Sequence, residues 1–139
     1  MASIAIQPIV LNDITLSVAA DNYESSVSRV ELVPTTPTVA WKGMSPAANI
    51  NLAGVPTWVA NIDYAQDHAT ASSFSQYLQA NAGTVKTMKF APKKGATGST
   101  PTFTVDVLIV AGPIGGALDT VAVGSVSLPV NGQPARALA

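Results

Sequence analysis

TWVANIDYAQDHATASSFSQYLQANAGTVKTMKF, residues 57–90, decides the fold because its periodicity changes twice. Over TWVANIDYA, Trp58, Ala60, Ile62 and Tyr64 fall on one side, the pattern of a strand with one buried face. From Thr70 the spacing turns helical: Ala71, Phe74, Ser75, Leu78 and Ala82 stand at i, i+3, i+4, i+7 and i+11, with Tyr77 flanking. Asp67 or Thr70 can cap the start, and Asn81-Ala82-Gly83 supplies a left-handed stop. The spacing predicts an amphipathic helix over Thr70 to Asn81, roughly three turns long, packed through Phe74 and Leu78. Val85, Met88 and Phe90 then open another strand. One helix therefore interrupts a run of strands.

Outward from this stretch the chain reads as β. Ile4, Ile6, Pro8 and Val10 alternate with other residues, and after Asn12-Asp13 so do Ile14, Leu16 and Val18, which predicts a hairpin or bent strand. Val27 to Val33 is a strand with Val30 and Leu32 on one face and Arg29 and Glu31 on the other. That charged face should meet water or a partner. VAWKG is a short strand. MSPAANINLAGVP reads as a Pro/Gly loop, yet it carries Met44, Ile50, Leu52 and Val55. Phe103, Val105, Val107 and Ile109 alternate with Thr102, Thr104 and Asp106. GPIGG turns the chain, and Thr120 to Pro129 closes it, with a parity shift between Val123 and Val126 that predicts a bulge near Gly124. These elements predict a mainly antiparallel β fold of seven or eight strands, a β-sandwich or partly open barrel with one packed α-helix at one end or face.

With 139 residues the chain fits one domain, residues 1–139. Charged residues make up 11%, against roughly 25% in ordinary domains, and the formal net charge is −1. A free nucleic-acid binder would carry a basic stripe; this composition suits a surface covered by copies of itself. The chain has no cysteine, hence no disulfide or thiolate chemistry. No apolar run approaches the ~20 residues of a membrane helix, and MASIAIQPIV lacks the basic region and apolar core of a signal peptide.

Catalytic constellations are weak. His68, the lone histidine, has Asp63 and Asp67 nearby, but a metal site needs three or four converging ligands, and a polar residue at a helix entrance is the simpler reading. No serine stands in G-x-S-x-G, and neither GPIGG nor KKGATGST matches a phosphate loop. Too few carboxylates are present to nominate an acid/base pair. Lys86, Lys89, Lys93 and Lys94 read as a set that keeps a strand and loop soluble. Trp41, Trp58 and Tyr64 read as core or interface anchors ahead of a sugar platform. No enzyme, cofactor or metal is expected.

The order of elements adds a resemblance. A strand ending VELVP leads to WKG and a Pro-containing loop, then to the Trp58 strand. The SSFSQYLQANAG helix, a strand ending FAPKKG, TFTVDVLIVAGPIGG and VSLPVNGQP follow. Over nearly its whole length this resembles the major tail tube proteins of long-tailed, non-contractile bacteriophages, most tellingly from Trp58 to Pro92. The resemblance implies a β subunit that forms hexameric rings stacked into a tube, with a channel that DNA traverses without specific binding. It implies self-association, tape-measure and tail-terminator or tip proteins as partners, and no membrane. It also implies a place in the virion tail, with host cytoplasm during assembly. Some members add an immunoglobulin-like C-terminal domain, which this sequence does not show. Under this reading Met44, Ile50, Leu52 and Val55 are inter-ring contacts. Thr102, Thr104 and Asp106 face a neutral-to-acidic lumen, with Lys93 and Lys94 off it. The alternative is a β-sandwich adhesin or carbohydrate-binding module using Trp41 or Trp58.

Overall fold

The computed structural model describes residues 2–6, 8–11, 13–92 and 101–138. Among them are nine strands and one helix: β1 Thr15–Val18, β2 Asp21–Asn22, β3 Val27–Thr35, β4 Thr38–Lys42, β5 Asn49–Ala53, β6 Thr57–Ala65, α1 Phe74–Ala80, β7 Val85–Ala91, β8 Pro101–Leu108 and β9 Val123–Leu138. Seven strands form one antiparallel sheet in the order β2-β1-β7-β8-β9-β6-β3, and β4 and β5 form a separate hairpin.

Chain connectivity forces the sheet to curl. β2 and β3 are its opposite edges, yet only Tyr23–Ser26 joins them. A flat seven-stranded sheet would hold its edges about 29 Å apart at ~4.8 Å per strand. Five residue steps reach about 18 Å at most. The sheet therefore wraps toward itself, bringing β1 opposite β3 across a cleft of about 320 Å³ lined by Leu11, Ile14, Leu16, Val27 and Val30. Among the described residues no ladder bridges this cleft, so they form an incompletely closed barrel.

The inner face holds one contiguous core. Leu16 and Val18 of β1, Met88 and Phe90 of β7, Val105 and Val107 of β8, Val126 and Leu128 of β9, and Ala60, Ile62 and Tyr64 of β6 all join it. The period-2 patterns of β6 and β8 are thus realised as buried faces. Helix α1 plugs one end of the barrel, with Phe74 and Leu78 fully buried. Phe74 meets Tyr64 edge-on at a centroid separation of 5.1 Å and Tyr23 at 5.2 Å.

The helix starts later than its spacing predicts. Ser72 has φ +62, a left-handed conformation that a right-handed helix cannot include. Ser73 is instead the N-cap, its Oγ accepting from the Gln76 N–H at 3.4 Å. Asp67 serves upstream, accepting from the N–H groups of Ala69 and Thr70 at 3.0 and 3.1 Å. Thr70 bonds hold its carboxyl below the usual carboxylate range. The predicted stop is present: Gly83 has φ +88, and its N–H reaches Ile109 O at 2.8 Å.

Two other expectations change. Among the described residues of 2–11 no strand forms, and Ile4, Ile6 and Val10 are exposed. There is no bulge at Gly124: the β6–β9 register runs unbroken from Trp58↔Val130 to Ala65↔Val123. Gly124 points inward, and a Cβ there would stand 2.9 Å from Tyr64 Cζ. The missing side chain makes room for the Tyr64 ring, which reads in sequence as a parity break. The irregularity lies further on. Between the pairs Thr104↔Ala135 and Asp106↔Asn131, β8 advances two residues while β9 advances four. Gly132, at φ +84, takes up the excess. This lets β9 pair with β6 through its first half and with β8 through its second, turning the corner of the barrel.

The buried phenols make the fold sensitive to alkali. Burial, reinforced by the Asp21 carboxylate, pushes Tyr23 up to about 12, and burial also raises Tyr64 and Tyr77. Unfolded tyrosines ionise near 10. Stability is therefore complete below about pH 10 and falls as pH rises from there toward 12, because only the unfolded chain releases these protons freely. The melting temperature should fall steeply from pH 10 to 11.5, and less steeply in Tyr23→Phe. A flat profile in the unaltered protein would remove this assignment.

Candidate functional site

The segment expected to be a loop over Met44 to Val55 is largely one limb of a β-hairpin arm. β4 and β5 pair as Thr38↔Ala53, Val39↔Leu52, Ala40↔Asn51, Trp41↔Ile50 and Lys42↔Asn49. Gly43–Ala48 closes the arm, with Gly43 N–H donating to Ala48 O at 2.7 Å. NINLA alternates as a strand does, but the surrounding proline and glycine obscure it. Pro37 and Pro56 flank the arm's base. Each lacks a backbone donor, so the ladder from β3–β6 into β4–β5 is interrupted there and the arm leaves the sheet.

Directly opposed residues share one face of an antiparallel ribbon. One face of the arm is therefore Val39, Trp41, Ile50 and Leu52, and the other is Thr38, Ala40, Lys42, Asn49, Asn51 and Ala53. All ten strand residues are exposed. The apolar face stands open, with Val39 63%, Trp41 64%, Ile50 53% and Leu52 57% exposed. Met44 lies in the terminal turn and Val55 at the base, both exposed. The structure thus unites Ile50 and Leu52 and leaves Met44 and Val55 off their face. It adds Val39 and Trp41, which the sequence reading did not assign to this contact although both fall on one side of VAWKG.

A second apolar surface lies at the other pole. β6 runs from the arm's base at Thr57 to Ala65, about 27 Å in eight steps of ~3.4 Å. Ala65 pairs with Val123. The segment before Val123 exposes Ile114, Leu118 and Val121. Gln66 pins it: its Nε2 donates to the carbonyls of Gly115 and Val123, each at 3.0 Å, and its Oε1 accepts from Gly115 N–H at 2.9 Å.

The outer sheet face is polar. Thr102 and Thr104 are half-buried and Asp106 is exposed there. Asp106 Oδ1 accepts from Thr87 Oγ at 3.0 Å. Register also sets Lys89 beside Thr104, a cation that β8 read alone does not reveal. Further round, Arg29 pairs with Glu31 at 2.7 Å and lies 3.8 Å from Asp63. Ser125 and Ser127 donate to Asp63 and Asn61, each at 2.7 Å. Lys93 and Lys94 lie outside the described residues.

The barrel's arm end holds a cavity of about 520 Å³ lined by Leu32, Trp58, Phe90, Phe103 and Pro134, where Trp58 Nε1 is buried with no acceptor among the described residues. Trp41, Trp58 and Tyr64 share no surface: Trp41 is on the arm, Trp58 is half-buried and Tyr64 is in the core. His68 Nε2 lies 3.4 Å from Gln66 Oε1, and among the described residues no three His, Cys, Asp or Glu side chains gather to hold a metal. Nor is any helix among them long and apolar enough to cross a membrane. Comparison with protein-family models and with curated proteins finds no match in either.

Proposed function

We propose that this chain is the structural subunit of a phage tail tube, assembling into hexameric rings that stack around a channel for DNA delivery. The observation that carries the reading is the arm. An isolated two-stranded ribbon is marginally stable in water, and this one holds a tryptophan and three large aliphatic side chains toward solvent on a single face. Such a face marks an interaction surface, and a chain with 11% charged residues has little else to keep it apart from its copies. The outer sheet face, where Thr102, Thr104 and Asp106 stand, supports a lumen role because, among the described residues, it offers few cations to hold phosphates. Among the described residues, Arg29 is engaged by two carboxylates, and register sets Lys89 beside Thr104. Tape-measure and tail-terminator or tip proteins would meet the tube at its ends.

An adhesin would need Trp41 flanked by hydrogen-bonding groups for sugar hydroxyls. Its neighbours on the face are Val39, Ile50 and Leu52. Negative-stain microscopy of the concentrated, purified protein tests the proposal: six-fold rings or tubes are expected. A protein that stays monomeric at high concentration and is retained on a glycan column would overturn it in favour of the adhesin.

A further inference from the structure

We infer that Asn131 is a site of spontaneous covalent modification: its side-chain amide closes on the backbone nitrogen of Gly132 and hydrolyses to a carboxylate directly opposite Asp106. The inference stands apart from the tube reading.

The step is an intramolecular acyl transfer. The Gly132 nitrogen gives up its proton and attacks Asn131 Cγ. A bond from that nitrogen to Cγ forms, the Cγ–Nδ2 bond breaks, and the side-chain nitrogen takes up the proton and leaves as ammonia. The product is a cyclic imide. Water opening the ring at Cγ gives aspartate. Water opening it at the backbone carbonyl gives isoaspartate, in which the main chain runs through the former side chain. Water is the only co-reactant.

The structure favours this position over the other asparagines. Asn131 alone in the chain is followed by glycine. Chain neighbours aside, no described residue comes within 4 Å of where a Gly132 Cβ would stand, so the approach to its nitrogen is uncrowded. The ladder is also interrupted here. β9 pairs with β6 as far as Val130, and with β8 at Asn131 and again from Ala135. Among the described residues Gly132, Gln133 and Pro134 oppose no partner on either strand, so register does not lock this backbone. Asn131 is exposed to the water that completes the reaction. By contrast, Asn49 and Asn51 are held in the β4–β5 ladder ahead of isoleucine and leucine. Asn61 Oδ1 is engaged by Ser127, and Asn81 Nδ2 by Tyr77 O.

The consequence is electrostatic. Isoaspartate lengthens the main chain, and the surplus residues of β9 between Asn131 and Ala135 can absorb that length without shifting the paired stretches. The new carboxylate, however, stands opposite Asp106, which already takes the Thr87 hydroxyl proton at 3.0 Å. Like charges directly opposed across two strands are destabilising. The formal net charge falls one unit below −1.

Purified protein is incubated in mildly alkaline buffer beside the free peptide PVNGQP, and both are followed by ion exchange and peptide mass mapping. As the peptide converts, the protein is expected to shift to a more acidic species whose altered residue is Asn131, present as aspartate and isoaspartate. Asn131→Gln, whose longer side chain closes the ring poorly, should lose that shift. A folded protein that retains Asn131 after the peptide has converted would overturn the inference, as would conversion of the other asparagines at the same rate. The charge consequence has its own readout. At low salt Asn131→Asp should melt below the unaltered protein, and adding Asp106→Asn should restore the melting temperature. Asn131→Asp melting with the unaltered protein would overturn the opposed pair.

Discussion

Ile50→Thr with Leu52→Thr should abolish assembly while leaving the barrel's melting temperature unchanged. Both residues lie on β5 and face solvent, so neither supports the core. Threonine is β-branched and favours extended backbone at both positions, so the ribbon is not melted by the change. Burying such a side chain in a contact contributes about 1.5–3 kcal/mol. Losing two removes roughly 3–6 kcal/mol per contact. Since each 1.4 kcal/mol is tenfold in affinity, the concentration needed for assembly should rise by at least about a hundredfold. Light scattering against concentration measures this. Tubes appearing at the unaltered protein's threshold would show that the apolar face makes no contact.

The opposite behaviour is expected of Phe74→Ala. Phe74 is 1% exposed and stands edge-on to Tyr64, with Tyr23 on its other side. Truncating a fully buried phenylalanine costs about 3–5 kcal/mol, because the cavity relaxes only in part. For a chain of this size that should lower the melting temperature by roughly 10–20 °C. Calorimetry decides it: a shift of only a degree or two would mean the helix does not seal the barrel end. The two variants separate assembly from folding, one failing to polymerise while folded and the other melting early.

Much of the fold is legible because hydrophobic alternation maps onto one buried face. β6 and β8 show it plainly, and the change of period at residues 70–82 marks the helix. Three features are hidden for separate reasons. Gly124 occupies an inward position without a side chain, so an unbroken strand looks broken. β9 continues past Pro129 and Pro134 to Leu138, which prolines argue against; Pro134 sits in the irregular stretch beside Gly132. Ile4, Ile6 and Val10 alternate as a strand would, but alternation reports a face and does not supply a neighbour. The arm was legible in part. Its apolar content stands out in a Pro/Gly context, but which residues share a face depends on the pairing of β4 with β5. The segment before Val123 reads in sequence only as a turn, since a pole is defined by the path of the chain in space.

The prolines at the base of the arm have a mechanical consequence. Where Pro37 and Pro56 interrupt the ladder, backbone hydrogen bonding gives way to a single link, Gly54 N–H to Pro37 O at 2.7 Å. That is a compliant joint between the barrel and the ribbon. In a filament joined through the arm, bending strain would concentrate at this joint and spare the seated surfaces. Successive layers could then tilt while their contacts stayed closed, so the filament would curve elastically and recover its shape without shedding subunits.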